Sequence, residues 1–223
     1  MIEVVLDTET TGLSVSMGHR LVEVACVELE DQIPTNNVFH KYINPERKVS
    51  PDAQKVHGYS DEFLVNKEKF SVIAEEFLKF IKGKRLIIHN APFDLSFLNN
   101  ELKILNKETI KENVIDTLEL AKIKFPNSSN SLDALCKRYK IDNTKREKHS
   151  AILDCQLLTK VYVNLIEQKE PKFNFNTKKI LSKEKIKSNS NLDYSKRVIL
   201  PNNDEILEHK NFLKKELKKN FFK

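Results

Sequence analysis

The sequence predicts an α/β domain built on a five-stranded sheet of mixed pairing, flanked by helices. Three observations predict it. Strand-like segments follow one another closely up to Ile43, and short connections favour antiparallel pairing. From Arg85 onward, short apolar runs alternate with segments of helical period, the pattern of strands joined by helices. At 39% hydrophobic, a chain of 223 residues can bury a sizeable core.

The elements follow in order. Ile2–Leu6 is a run of β-branched and apolar residues and reads as a buried strand. Leu21–Glu30 (LVEVACVELE) alternates apolar and polar residues, as a half-buried strand does. Val38–Ile43 is a third strand, stopped by Asn44-Pro45. Ser50–Ser60 (SPDAQKVHGYS) reads as turns. Ser71–Phe80 has helical period, with Val72, Ile73, Phe77 and Leu78 apolar, and Gly83 ends it. Arg85–His89 is a short strand, after which Asn90-Ala91-Pro92 opens a helix over Phe93–Leu105. Asn113–Thr117 is a brief strand leading into a helix that reaches Phe125. Ser131 is an N-cap for a helix to Tyr139, and Ser150 one for a long helix over Ala151–Glu167. The polar run Lys140–Lys148 between them reads as a mobile loop.

No apolar run approaches the roughly 20 residues of a membrane span. The start, MIEVVLDTE, lacks a basic region followed by an apolar core, so no signal peptide is expected. Cys26, Cys136 and Cys155 are far apart and have no zinc-like spacing; they read as reduced thiols in a cytoplasmic protein. The net charge of +6 is uneven: residues 1–169 sum to −1 and residues 170–223 to +7. A basic balance suggests nucleic acid, and here that inference holds only for the tail.

Asp7 and Glu9 stand where the first apolar run ends. Strand side chains alternate, so residues two apart project the same way. Two adjacent carboxylates repel, and each pKa rises unless a cation sits between them. Magnesium or manganese suits oxygen ligands of this kind. Gly12 lets the chain turn past the site. Asp94 opens the helix after the fourth strand, and Asp154 lies in the first turns of the last long helix. On one helix, His149 and Asp154 would be separated by about 140°; they converge more easily with His149 on the preceding loop.

These pieces form a pattern. Asp7-Thr8-Glu9-Thr10-Thr11-Gly12, His89-Asn90-Ala91-Pro92-Phe93-Asp94 and His149-Ser150-Ala151-Ile152-Leu153-Asp154 resemble, in order, spacing and flanking residues, the three exonuclease motifs of the DEDD superfamily. The histidine five before the last aspartate marks the branch with a catalytic histidine. The resemblance covers residues 2–168, and Val56-His57-Gly58 with Met1–Leu13 look most like the proofreading epsilon subunits of bacterial DNA polymerase III. It implies a ribonuclease-H-like fold and 3′→5′ hydrolysis of DNA. By resemblance, Asp7, Glu9, Asp94 and Asp154 would hold two divalent ions, Mg2+ or Mn2+, and His149 would be the general base. Asp7, Glu9, Asp52, His57 and Asp154 would contact the substrate, with Asp52 standing where a glutamate is often found. Two metals would activate water and stabilise the leaving oxygen. A frayed 3′ end would reach the site, its terminal base stacking on an apolar wedge near Leu13.

The same reading divides the chain into an exonuclease domain (1–169), a flexible linker (170–196) and a polymerase-binding tail (197–223). Phe173–Asp193 is rich in Lys, Ser and Asn, as a tether is. Asp204–Phe222 has Ile206, Leu207, Phe212, Leu213 and Leu217 among lysines, an amphipathic helix that needs a partner surface. The implied partner is the polymerase (alpha) subunit of DNA polymerase III. A small stabilising subunit and a sliding clamp, the latter through Gln168–Phe173, are further candidates. Two alternatives stand. One is an exoribonuclease of the same superfamily, ribonuclease T-like or oligoribonuclease-like. The other is a non-catalytic polymerase-binding scaffold. The long appendage argues against the first and the intact set of acids against the second.

Overall fold

The computed structural model describes residues 1–144, 146–166 and 200–216. They fall into two units, one within Met1–Lys172 and one within Phe173–Lys223. The tether, Leu217 and the clamp segment Gln168–Phe173 lie outside the described residues.

In the first unit, β1 (Ile2–Thr10), β2 (Leu21–Glu30), β3 (Ile33–Tyr42), β4 (Arg85–Ile88) and β5 (Val114–Asp116) form one sheet in the order β3-β2-β1-β4-β5. The first three strands pair antiparallel, and β1–β4 and β4–β5 pair parallel. Expected and observed pairing agree. Helices cover both faces. Val4, Leu6, Val24 and Cys26 pack against α3 (Phe70–Ile81) and α4 (Ala91–Ile104), through Phe77, Phe97 and Leu98 among others. Val5, Ala25, Val27 and Leu29 pack on the other face against α5 (Thr117–Lys124), α6 (Leu132–Tyr139) and α7 (Ala151–Ile166). This is why β1 is apolar at consecutive positions: a strand covered on both sides has no solvent face.

The structure corrects four readings. β2 is buried on both faces rather than half-buried, because α7 covers the side that Glu23 suggested was wet; Glu23 is fully buried. β1 runs on to Thr10, since Thr8 and Glu9 remain paired with Val24 and Glu23. Pro51–His57 is a helix, α1, rather than a string of turns. It has proline in its first turn, the Ser50 hydroxyl accepting from Ala53 N–H, and Gly58 at φ 83° closing it. Gly12 serves close approach rather than an unusual dihedral: a Cβ there would lie 2.4 Å from Cε1 of His19.

In the second unit, α2 being the short Asp61–Leu64 turn of the first, α8 (Asn203–Glu216) is the described element. The Asn202 side chain accepts from Glu205 N–H and the Glu205 carboxylate accepts from Asn202 N–H, both at 2.8 Å, a reciprocal cap. Ile206, Leu207 and Phe212 are exposed on it. Among the described residues no helix is long and apolar enough to cross a membrane, and the three cysteines are free and buried.

Candidate active site

Because β1 and β4 are parallel, their carboxyl ends open at the same edge of the sheet, where ligands of such sheets bind. A cleft of about 930 Å³ lies there. Asp7, Glu9, Asp52, His57, Asp94, His149 and Asp154 all line it, so the residues singled out from sequence converge on one place. Glu9, His149 and Asp154 each offer a ligand atom, and these atoms lie within 4.8 Å of one another. Asp94 is tied to β1 by the Thr8 hydroxyl, which donates to its carboxylate at 2.6 Å.

Each bearing element is held by a group outside the motifs. The Asp116 carboxylate, at the end of β5, accepts from Asn90 and Ala91 N–H at 3.0 and 3.1 Å and from Leu118 N–H at 2.8 Å. It thereby caps α4 and α5 together, and fixes the helix that carries Asp94. Glu23 does the same for α7: its carboxylate accepts from Ala151 N–H at 2.9 Å, the Ser150 hydroxyl at 3.1 Å, and His40 and Tyr59 at 2.7 Å each. Ser150 was expected to cap this helix; its hydroxyl instead donates to Glu23, a charged acceptor that satisfies the helix N-terminus better. His149 precedes the helix on a loop, and its backbone N–H donates to Val56 O at 3.1 Å. Lys148 packs so closely on Gly58 that a Cβ there would meet its Cδ at 2.7 Å. Lys148 and His149 are thus docked on the end of α1.

Burial dominates the electrostatics. It pushes the Asp7 carboxyl well above the carboxylate range, with Asp94, Glu9 and Asp154 adding to the rise. Glu9 is raised to about 8 by burial first and then by Asp154, Glu23 and Asp94, with Arg146 opposing. Asp94 is raised by burial, and the Thr8 hydrogen bond opposes the rise. Glu23 is as deeply buried, yet its donors His40, Ala151 N–H and Tyr59 more than offset that and hold it below the ordinary value. His149 is lowered by burial and by Arg146, with Asp154 opposing, so it is a neutral imidazole near pH 7.

Asp52 stands on the rim, its side chain 94% exposed and paired with Lys55 at 3.3 Å. His57 is buried; its Nδ1 accepts from Tyr59 N–H at 3.0 Å, and its Nε2 has no hydrogen-bond partner. Leu13 and Met17 line the cleft with most of their surface exposed. Three residues outside the motifs were missed. Arg146, within the charged run, donates from Nε and Nη2 to the two oxygens of Asp154 at 2.6 and 2.7 Å, and from Nη1 to Asp133 at 2.8 Å. Glu23 and Asp116 are the other two. A lone arginine between lysines, and single acids ending or lining strands, carry no sequence signal of such contacts.

Comparison with known proteins agrees with this geometry. A family model described as Exonuclease matches residues 4–162. The DNA polymerase III epsilon subunit of Rickettsia felis is 45% identical over 222 residues, covering 97% of each chain. That of Escherichia coli K12 is 46% identical over 169 residues, covering 72% of this chain and 70% of its own. Exonuclease X, solved with 5′ overhanging duplex DNA, superposes with a TM-score of 0.57 at 24% identity, over 73% of this chain and 89% of its own. The nuclease domain of 3′hExo, a DEDDh family member bound to rAMP, gives 0.64 at 17% identity, over 74% and 90%. The two solved structures establish the ribonuclease-H-like fold. With the sheet order, the gathered acids and relatives this similar over nearly the whole length, the chain belongs to the exonuclease family and, within it, to the DNA polymerase III epsilon subunits.

Proposed function

We propose that the chain is a metal-dependent 3′→5′ exodeoxyribonuclease that proofreads for DNA polymerase III. The observation that carries this reading is the meeting of Glu9, His149 and Asp154 within 4.8 Å, in a cleft that Asp7 and Asp94 also line. The donor set fits hard divalent cations. It is made of carboxylate oxygens, and the burial that raises Asp7, Glu9 and Asp94 is the energetic signature of charges lacking a counter-ion. Asp7, Glu9, Asp94 and Asp154 would hold two ions, Mg2+ or Mn2+. When bound, such ions lower the pKa of a water and offset charge on the leaving 3′ oxygen.

The chain's own groups supply the rest. His149, neutral near pH 7, takes the proton of the attacking water. His57 carries its ring proton on Nε2, since Nδ1 is an acceptor, and that buried donor serves a nucleotide oxygen. Asp52 on the rim contacts the terminal nucleotide less tightly. Leu13 and Met17 give the terminal base an apolar surface to stack on. The tail attaches the nuclease to the polymerase (alpha) subunit, and the exposed Ile206, Leu207 and Phe212 of α8 are the surface offered to it.

The test is a single-stranded DNA labelled at its 5′ end, incubated with Mg2+ beside an RNA of the same sequence. Stepwise shortening of the DNA from its 3′ end, stopped by chelator and by a 3′ phosphate, is expected. Faster cutting of the RNA would favour the exoribonuclease reading, and equal cutting of circular DNA would refute an exonuclease.

A further inference from the structure

Arg146 lies between α6 and α7 with its side chain 6% exposed, and the cleft absorbs its donors. Besides Asp154 and Asp133, its Nη2 approaches Nδ1 of His149 at 2.9 Å. A guanidinium has no lone pair to offer, so Nδ1 is the acceptor in that contact. A neutral imidazole has one accepting nitrogen; here it is committed to Arg146, and the ring proton resides on Nε2. His149 in this arrangement has no lone pair for a water.

The two contacts are made by one guanidinium, and both concern groups the nuclease needs. A fork on both oxygens of Asp154 is the strongest pairing a carboxylate makes with a side chain. A divalent ion on the same carboxylate would stand a few ångströms from that guanidinium, and like charges so close in a buried site repel strongly. Both cannot be held well. We propose that Arg146 is a positioning residue that competes with divalent cations for Asp154, and that its displacement also frees the His149 lone pair. Cation entry and base availability are thereby coupled, and a cleft without its ions holds its base inactive. This inference rests on the metal-nuclease reading above.

The test measures Mn2+ binding, by titration calorimetry or by the paramagnetic signal of free Mn2+, on the full-length chain. Arg146→Gln removes the competing charge, and Mn2+ should bind about tenfold tighter or more, the range expected when a charge-assisted pairing is lost. Arg146→Lys keeps the charge without the fork and should fall between. Melting separates competition from scaffolding. Arg146→Gln should melt lower than the parent in chelator and together with it in saturating Mn2+. In the chelated parent, the ring 15N shifts of His149 should report the Nε2–H tautomer. Unchanged or weaker Mn2+ binding in Arg146→Gln, an equal loss of melting temperature in both conditions, or an Nδ1–H tautomer would overturn the inference. A parent chain that binds no Mn2+ would overturn the metal-nuclease reading itself, and this inference with it.

Discussion

Glu9→Gln should remove much of the pH dependence of stability measured without divalent ions. Glu9 is 8% exposed and is raised from 4.5 to about 8, chiefly by burial. Below pH 4.5 the carboxyl is protonated both folded and unfolded. Between there and about pH 8 the unfolded chain has lost the proton and the folded chain keeps it, so stability falls as pH rises. Above about 8 both forms are charged and the loss is complete. Moving one carboxyl that far corresponds to roughly 4–5 kcal/mol, an upper figure because Asp7 and Asp94 titrate with it. The histidines that burial lowers, among them His57 and His149, push the other way as pH rises toward 6.5, but parent and variant share them. The assay is urea unfolding in chelator at a series of pH values from 4.5 to 8.5. The parent should lose several kcal/mol more across that range than Glu9→Gln, and saturating Mg2+ should flatten the parent's curve. Parallel curves for the two proteins in chelator would refute the account of Glu9 as a buried, uncompensated charge.

Three further outcomes follow from the geometry. His149→Ala should keep Mn2+ binding and lose about 10²–10⁴-fold in kcat, together with the acidic limb of the pH–rate profile; an unchanged profile would make the ring a bystander. Glu23→Ala leaves four donors without their acceptor and should cost about 3–5 kcal/mol in urea unfolding. A loss below about 1 kcal/mol would mean the α7 N-terminus finds other partners. A chain ending at Lys169 should degrade free single strands at nearly the parent rate and fail to co-purify with the polymerase subunit. Retained association would move the docking surface out of the tail.

Much of this was legible in the sequence, and the exceptions share a cause. Leu21–Glu30 is observed with the expected ends, because its residues suit a strand whatever lies on either side. Its environment was not legible. Periodicity places Glu23 on one face but cannot say that a helix end waits there with an unpaired N–H. α1 was hidden because helices are recognised by an apolar stripe, and His57 is its one buried residue. Its caps, Ser50 before Pro51 and Gly58 after His57, were the available signal. The motif acids stood out because their types and spacing match the three exonuclease motifs. Arg146 did not, since one cation among Lys145, Lys148 and Glu147 reads as solvated charge until the backbone folds it over Asp154.

Glu9 and Glu23 face each other across β1 and β2, and their contrast explains how the fold separates an acid that ties the chain together from one left open to the cleft. Both are buried, and burial alone would neutralise both. Glu23 receives donors from β3, from the segment after α1 and from the start of α7, so it remains a carboxylate and ties these three parts of the chain to β2. Among the described residues no side chain or backbone group donates to Glu9 or Asp7, and both are raised. Lone pairs left unsatisfied at the mouth of a sheet cost stability, and a fold keeps such a cost where something else completes the site. The donors are spent on Glu23 and Asp116, which hold the helices still, while Asp7 and Glu9 keep their oxygens open to the cleft. Rigid support behind and unmet acceptors in front are what the proposed cation site would require, and the chain provides both with carboxylates of the same kind in opposite surroundings.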